Sequence, residues 1–253
     1  MTEIINENDV DRPQGGFKSL LTTIFVALLI AYLLRVFIFQ PFTIPSASME
    51  PNLIKGDYII TSKYSVGYGK YAAEPLRFPM KTGRLLERGP ERGDIVVFKP
   101  VNNPKHYIKR VVGLPGDQVQ MKSGELYLND TLIVQTYADR EGPKGAQDYG
   151  AQVMVETFRG ESAHLIFEKE HNRLGDTPVY HVPAGHYFMM GDNRDNSDDS
   201  RKTHADGGIG FVPSQNIIGK AEFILFSAKD DFSIIKPWTW SQFRADRFFK
   251  GLQ

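Results

Sequence analysis

Residues 17–53 read FKSLLTTIFVALLIAYLLRVFIFQPFTIPSASMEPNL, and the fold is organised around this stretch. Its first part, 17–39, is the only run in the sequence long enough to cross a bilayer. At ~1.5 Å per residue, some twenty apolar residues cover the ~30 Å hydrocarbon core. Arg35 lies near the end of the run, where its long stem can carry the charge to the headgroups. Beyond it, Ser46 and Ser48 sit between Pro45 and Pro51. Proline disfavours helix at and just before its own position, so this segment is expected to run extended. In an extended chain, residues two apart point the same way. Ser46 and Ser48 would then present both hydroxyls to one surface, just where the chain leaves a membrane.

Toward the N-terminus, residues 1–16 are polar and acidic, with Glu3, Glu7, Asp9 and Asp11 against Arg12, and are expected to form a disordered tail. A removable signal peptide, with Ser46-Ala47-Ser48 as its cleavage site, is the alternative. The apolar run is too long for the core of such a peptide, and what precedes it is acidic rather than basic. Charge does not choose an orientation: Arg12 and Lys18 flank one end, Arg35 and Lys55 the other. With 253 residues in all, about 210 remain beyond the membrane run, enough for one domain or two small ones. The 30 basic and 30 acidic side chains cancel and give no reason to expect nucleic acid as a partner. The absence of cysteine excludes disulfides, thiolate nucleophiles and Cys-zinc sites.

Toward the C-terminus the pattern is β. Ile95–Phe98 is a short continuous apolar run suited to a strand buried on both faces. His106–Val112 is rich in β-branched residues. Glu125–Leu128 and Thr131–Val134 flank Asn129-Asp130, a hairpin signal. Further strands are expected at Gln152–Thr157, His164–Glu168, Val179–Val182, His186–Met190 and Ile217–Phe226. No amphipathic helix of useful length occurs between 55 and 235, so the fold class is mostly β and antiparallel behind one transmembrane helix. Residues 236–253 mix Trp238, Trp240, Phe243, Phe248 and Phe249 with Arg244, Arg247 and Lys250. That composition suits either a membrane interface or a segment docked on the domain.

A serine needs a base before it can act as a nucleophile. The sequence contains no G-x-S-x-G elbow, and its six histidines fall in no recognisable triad context. On a strand, Lys109 shares a face with Tyr107 and Val111, while Ile108, Arg110 and Val112 share the other. Partial desolvation there would favour the neutral amine. The need is large, because at an ordinary pKa of ~10.4 only about one lysine in 2,500 is neutral at pH 7. Lowering the pKa by about two pH units costs roughly 3 kcal/mol. From this segment alone, a lysine snorkelling off an edge strand remains the alternative. A third segment, GDNRDNSDDSR (191–201), fails the calcium-loop template at its glycine and glutamate positions. It reads either as a solvated acidic turn or as a buried polar loop whose aspartates are braced by its arginines.

Taken together, PSASMEPNL (45–53), RGDIVVFKP (92–100), YIKRVVGLPGD (107–117) and GDNRDNSDDSR (191–201), in this order behind one membrane segment, resemble bacterial type I signal peptidase, a membrane-bound Ser/Lys endopeptidase family. The resemblance implies a β catalytic core built from 40–117 and 188–235, a smaller variable β lobe at 118–187 and a tail at 236–253. It implies Ser48 as nucleophile and Lys109 as general base. Ser46 would donate to the oxyanion hole beside the Ser48 N–H, and Ser197 would hydrogen-bond and orient the Lys109 amine. Asp199 and Arg201 would brace the loop, with Asp192 and Arg194 in support. Phe42, Ile44, Pro45, Met49, Leu53, Tyr107 and Ile108 would line shallow apolar pockets. Ala47 stands where the family often has glycine, and the cysteine pair of some members is missing.

The function implied is removal of signal peptides from exported preproteins through an acyl-enzyme, with small residues preferred at the first and third positions before the cut. No metal or cofactor is required. Expected partners are preproteins, the lipid bilayer and, by proximity, the export machinery. The resemblance places the short tail in the cytoplasm and the catalytic domain on the outer face of the inner membrane. A specialised Ser/Lys processing peptidase of the organelle or conjugation type is the nearest alternative. A catalytically silent membrane-tethered binding protein is another.

Overall fold

The computed structural model describes residues 16–74, 83–101, 103–138, 150–158, 160, 163–169, 174–229 and 236–252; the expected disordered tail, apart from Gly16, lies outside them. The apolar run forms helix α1, Phe17–Phe37, with a mean hydropathy of 2.3 and only Val36 buried. It is long and apolar enough to cross a membrane. Thr22 and Thr23 return their hydroxyls to the Lys18 and Ser19 carbonyls at 2.9 Å, which satisfies both within the helix. The helix ends two residues earlier than the hydropathy suggests. Tyr68 fixes its end, donating to the Phe37 carbonyl at 2.7 Å and meeting the Phe37 ring edge-on.

The strands in chain order are β1 (Phe39–Thr43), β2 (Asp57–Ser62), β3 (Ile95–Phe98), β4 (Tyr107–Gly113), β5 (Gln118–Lys122), β6 (Glu125–Leu128), β7 (Thr131–Leu132), β8 (Val134–Tyr137), β9 (Gln152–Thr157), β10 (His164–Glu168), β11 (Tyr180–His181), β12 (His186–Met190), β13 (Val212–Pro213), β14 (Ile217–Ser227) and β15 (Lys250–Gly251). All their pairings are antiparallel, so the chain is mostly β as expected. The main sheet runs β1-β2-β14-β3-β4-β12-β13, with β15 added to β14. Ile95–Phe98 lies at its centre between β14 and β4 and is buried throughout, as a continuous apolar run requires. In the hairpin between β6 and β7, Asn129 and Asp130 both take positive φ, 50° and 61°, the conformation that a two-residue turn demands.

Residues 118–181 contribute two smaller sheets, β11-β5-β6-β7 and β10-β9-β8. These are not insulated from the main sheet. Val119, Met121 and Leu126 share one apolar cluster with Val112 of β4 and with Phe188 and Met190 of β12. A second cluster, holding Ile44, Met49, Leu53, Ile59, Ile95 and Ile108, lies under the Ser46–Leu53 segment.

That segment departs from the expected extended path. Ser46 and Ala47 form a bend and Ser48–Asn52 a turn, closed by Glu50 N–H to Ala47 O at 3.1 Å and Leu53 N–H to Met49 O at 2.9 Å. Met49 and Leu53 are fully buried beneath this turn, in the apolar cluster with Ile44, Ile59, Ile95 and Ile108.

The C-terminal tail docks on the domain. Arg247 makes a two-pronged bond to buried Asp57 at 2.9 and 2.6 Å, and a third to the Asn52 carbonyl at 2.8 Å. Trp240, Phe248 and Phe249 are left exposed on the same segment.

Candidate active site

The turn after β1 carries Ser48, and β4 carries Lys109 from the centre of the main sheet. Lys109 Nζ donates to Ser48 Oγ at 2.5 Å, joining residues 61 apart in the sequence. Ser46 Oγ lies 3.4 Å from Ser48 Oγ. Lys109 pairs across the sheet with Val96 and is 3% exposed, which removes the snorkelling alternative. Burial pushes its pKa down to about 8; Asp199, Asp192 and Asp198 oppose the shift, and Arg201 adds to it. The backbone N–H of Ser48 donates to no acceptor among the described residues, and its carbonyl is taken by Asn193 N–H at 3.2 Å.

The acidic segment 191–201 is a buried loop and not a solvated turn. Asp199 receives both Arg201 Nε and Nη2 at 2.9 Å and the Gly191 N–H at 3.1 Å. Burial alone would raise the Asp199 pKa, but Arg201 and these hydrogen bonds hold it below the ordinary carboxylate range. Asp192 is braced from outside the loop, by Arg110 Nε and Nη2 at 2.8 Å each and by Asn52 Nδ2 at 2.6 Å. Its pKa is likewise lowered against the effect of burial. Arg194 also looks outward and pairs with Glu156 of β9.

Ser197 Oγ is buried without a hydrogen-bond partner, so the bond to Lys109 that the resemblance assigned is not formed here. It remains close to the nucleophile turn. A Cβ built on Gly191 would lie 2.3 Å from Ser197 Oγ and 2.4 Å from Ser48 O, so glycine is what lets loop and turn touch.

A cleft of about 370 Å³ opens over the pair, lined by Pro45, Ser46, Ser48, Tyr107, Ile108 and Lys109 from the expected set. Ala47, Lys105, His106, Asn196 and Asp198 complete its wall and were not anticipated as lining residues. Of the other expected pocket residues, Met49 and Leu53 are fully buried and Ile44 is 3% exposed, beneath the cleft rather than in its wall. Phe42 is half-buried and meets His106 edge-on at 5.2 Å, so it reaches the cleft through that ring.

Arg110, Asn52 and Glu156 were missed as supports of the site. The sequence did hold a signal for two of them: each places a charge inside a strand of β-branched residues, where only a partner can keep it. Among the described residues no cluster of side chains has the make-up of a metal site.

The family described as signal peptidase, peptidase S26, matches residues 17–226. A signal peptidase I of Rickettsia akari is 41% identical over 241 residues, covering 88% of each chain. One of Rickettsia typhi is 42% identical over 241 residues, covering 88% of this chain and 89% of the other. A solved signal peptidase I from Enterococcus faecalis aligns with 26% identity over 53% of this chain and 97% of its own, at a TM-score of 0.31, too low to bear on the fold.

Proposed function

Because the chain belongs to the signal peptidase family, peptidase S26, and so is a serine peptidase that cleaves signal peptides, we propose that Ser48 and Lys109 carry out the reaction as a dyad. The observation that carries the proposal is the 2.5 Å contact between Lys109 Nζ and Ser48 Oγ at the floor of the cleft. With its pKa near 8, the Lys109 amine is available in neutral form at neutral pH to about one part in ten, against one in thousands for an ordinary lysine.

Neutral Lys109 takes the Ser48 Oγ proton as Oγ adds to the scissile carbonyl. The oxyanion is met by the unused Ser48 N–H and by the Ser46 hydroxyl. Collapse breaks the C–N bond, Lys109 returns its proton to the departing amine, and the signal peptide stays esterified to Ser48. Water then gives its proton to Lys109 and releases the acid. Ser197, whose buried hydroxyl has no partner here, is assigned the orienting of the Lys109 amine by the family resemblance alone. The preprotein lies extended across the cleft. The shallow wall of Pro45, Tyr107 and Ile108 favours small side chains at the first and third positions before the cut.

The N-terminal helix anchors the protein in the membrane. We place the catalytic domain on the outer face of the bacterial inner membrane, near the export machinery. There the turn that begins nine residues beyond the helix-bearing run meets a signal peptide emerging at the bilayer surface, and the exposed Trp240, Phe248 and Phe249 suit the same interface. The reading is tested by incubating a signal-peptide-bearing preprotein with purified protein and with its Ser48→Ala variant, then sequencing the product N-terminus. Cleavage by the variant would refute it.

A further inference from the structure

The loop that grips the Ser48 turn is itself gripped from the opposite side by the small sheet β10-β9-β8. Glu156 of β9 is fully buried, and its Oε1 pairs with Arg194 Nη2. Its Oε2 accepts a 2.8 Å hydrogen bond from Gln135 Nε2 of β8, and His164 Nε2 of β10 lies 3.2 Å from Oε1. Arg194 Nε and Nη1 are buried without partners, so Glu156 provides the guanidinium's hydrogen bond among the described residues. Burial would raise the Glu156 pKa, but Arg194, followed by His164, holds it well below the carboxylate range, and the anchor is ionic.

The backbone on either side of that anchor leads to the nucleophile. Arg194 N–H donates to Phe167 O, and Phe167 N–H donates to Asp192 O, both at 2.9 Å, clamping Asn193 between them. Asn193 in turn donates its N–H to Ser48 O at 3.2 Å and its Nδ2 to Ala47 O at 3.1 Å. Every link is a directional hydrogen bond, and the last two hold the turn that carries Ser48. A loop free to shift by an ångström would take Ser48 with it, and displacements of that size lower rates by about a hundredfold.

Resting on the assignment of Ser48 as nucleophile, we propose that Glu156 is a positioning residue for the reaction: through Arg194 and Asn193 it holds the Ser48 turn in register with Lys109. The small sheets then do more than decorate the catalytic core. One of them supplies the fixed point against which the nucleophile is aligned.

The test compares wild type, Glu156→Gln and the double variant Glu156→Gln/Arg194→Gln, as full-length protein in detergent acting on a preprotein. The single variant leaves a buried guanidinium unpaired; the double variant removes both charges and retains two amides that can bond. The expected result is a kcat lowered at least about tenfold in both, with KM changed by less than about twofold, and wild-type thermal stability in the double variant. A double variant with wild-type kcat overturns the proposal. So does one that fails to fold, since the pair would then serve the fold and not the alignment. Ser48→Ala is run alongside: cleavage by that variant would sink the dyad itself, an outcome separate from any result at Glu156.

Discussion

Lys109 Nζ and Ser48 Oγ meet at 2.5 Å across 61 residues of sequence, one on a central strand and the other on a turn packed against it. The strand cannot move without disturbing the sheet, and the turn is fixed at Met49 and Leu53 by the core and at Ser48 O by the 191–201 loop. The contact is therefore preorganised in the absence of substrate.

The pH dependence follows from the Lys109 amine. Its pKa of about 8 lies below the ordinary value, and the reactive form is the neutral one. Between pH 6 and 8, kcat/KM should rise about tenfold per pH unit and then level off above about pH 8. A profile flat from pH 6 to 10 would exclude a titrating lysine base.

The same depression carries a stability cost. The folded-state pKa lies below the unfolded one, so the unfolded chain binds the proton more tightly. Stability is lowest below about pH 8 and rises as pH climbs from there toward 10.5. Lys109→Met removes the buried amine without emptying the space. It should abolish cleavage while raising stability at pH 7, by up to about 3 kcal/mol, read as a higher denaturation midpoint. An inactive variant that is also unfolded would point to a structural role for the lysine.

Ser46→Ala removes one of the two donors assigned to the oxyanion. Loss of such a donor typically costs roughly 3 kcal/mol, so kcat should fall about a hundredfold with KM nearly unchanged. Ser46→Thr keeps the hydroxyl and should recover much of the rate. Equal loss in both variants would argue that Ser46 shapes the turn and does not bind the oxyanion.

Gly191 is the contact point between loop and turn. In Gly191→Ala, the new methyl would lie 2.4 Å from Ser48 O, a backbone atom that cannot swing aside. Displacing the turn by even an ångström should lower kcat roughly a hundredfold. Gly116→Ala is the control for strain without crowding, since its φ is +94° and a Cβ there meets nothing within 4 Å. It should lose stability but keep kcat. Wild-type activity in Gly191→Ala would show that the close approach is not needed.

What could be read from the sequence depended on how local the controlling physics was. Ile95–Phe98 declared itself through a continuous apolar run, Tyr107–Gly113 through its share of β-branched residues, and Asn129-Asp130 through the left-handed backbone that their side chains tolerate. Strand β1 was hidden because its first residue, Phe39, closes the apolar run, and Gln40 and Pro41 follow it without a strand pattern. Hydropathy has no feature at Phe37, where the helix actually stops to let Phe39–Thr43 pair with β2. The turn at Ser48 was missed because the contacts that hold it, the packing of Met49 and Leu53 and the hydrogen bonds from Asn193, come from distant strands and the 191–201 loop. Ser48 and Lys109 were identified only because their flanking segments resemble a known family; the residues alone left Lys109 ambiguous. Arg110 and Glu156 were overlooked because their partners, Asp192 and Arg194, lie 82 and 38 residues away, and a lone charge in a strand does not announce which distant residue neutralises it.

The dyad is tested most directly by the covalent intermediate. Preprotein mixed with the protein and quenched within one turnover should give a fraction of the protein carrying the mass of the signal peptide, mapped by fragmentation to Ser48 and labile to mild base as an ester is. The Ser48→Ala variant should carry no adduct and give no cleaved product. An adduct on any other residue, or cleavage by Ser48→Ala, would contradict the account.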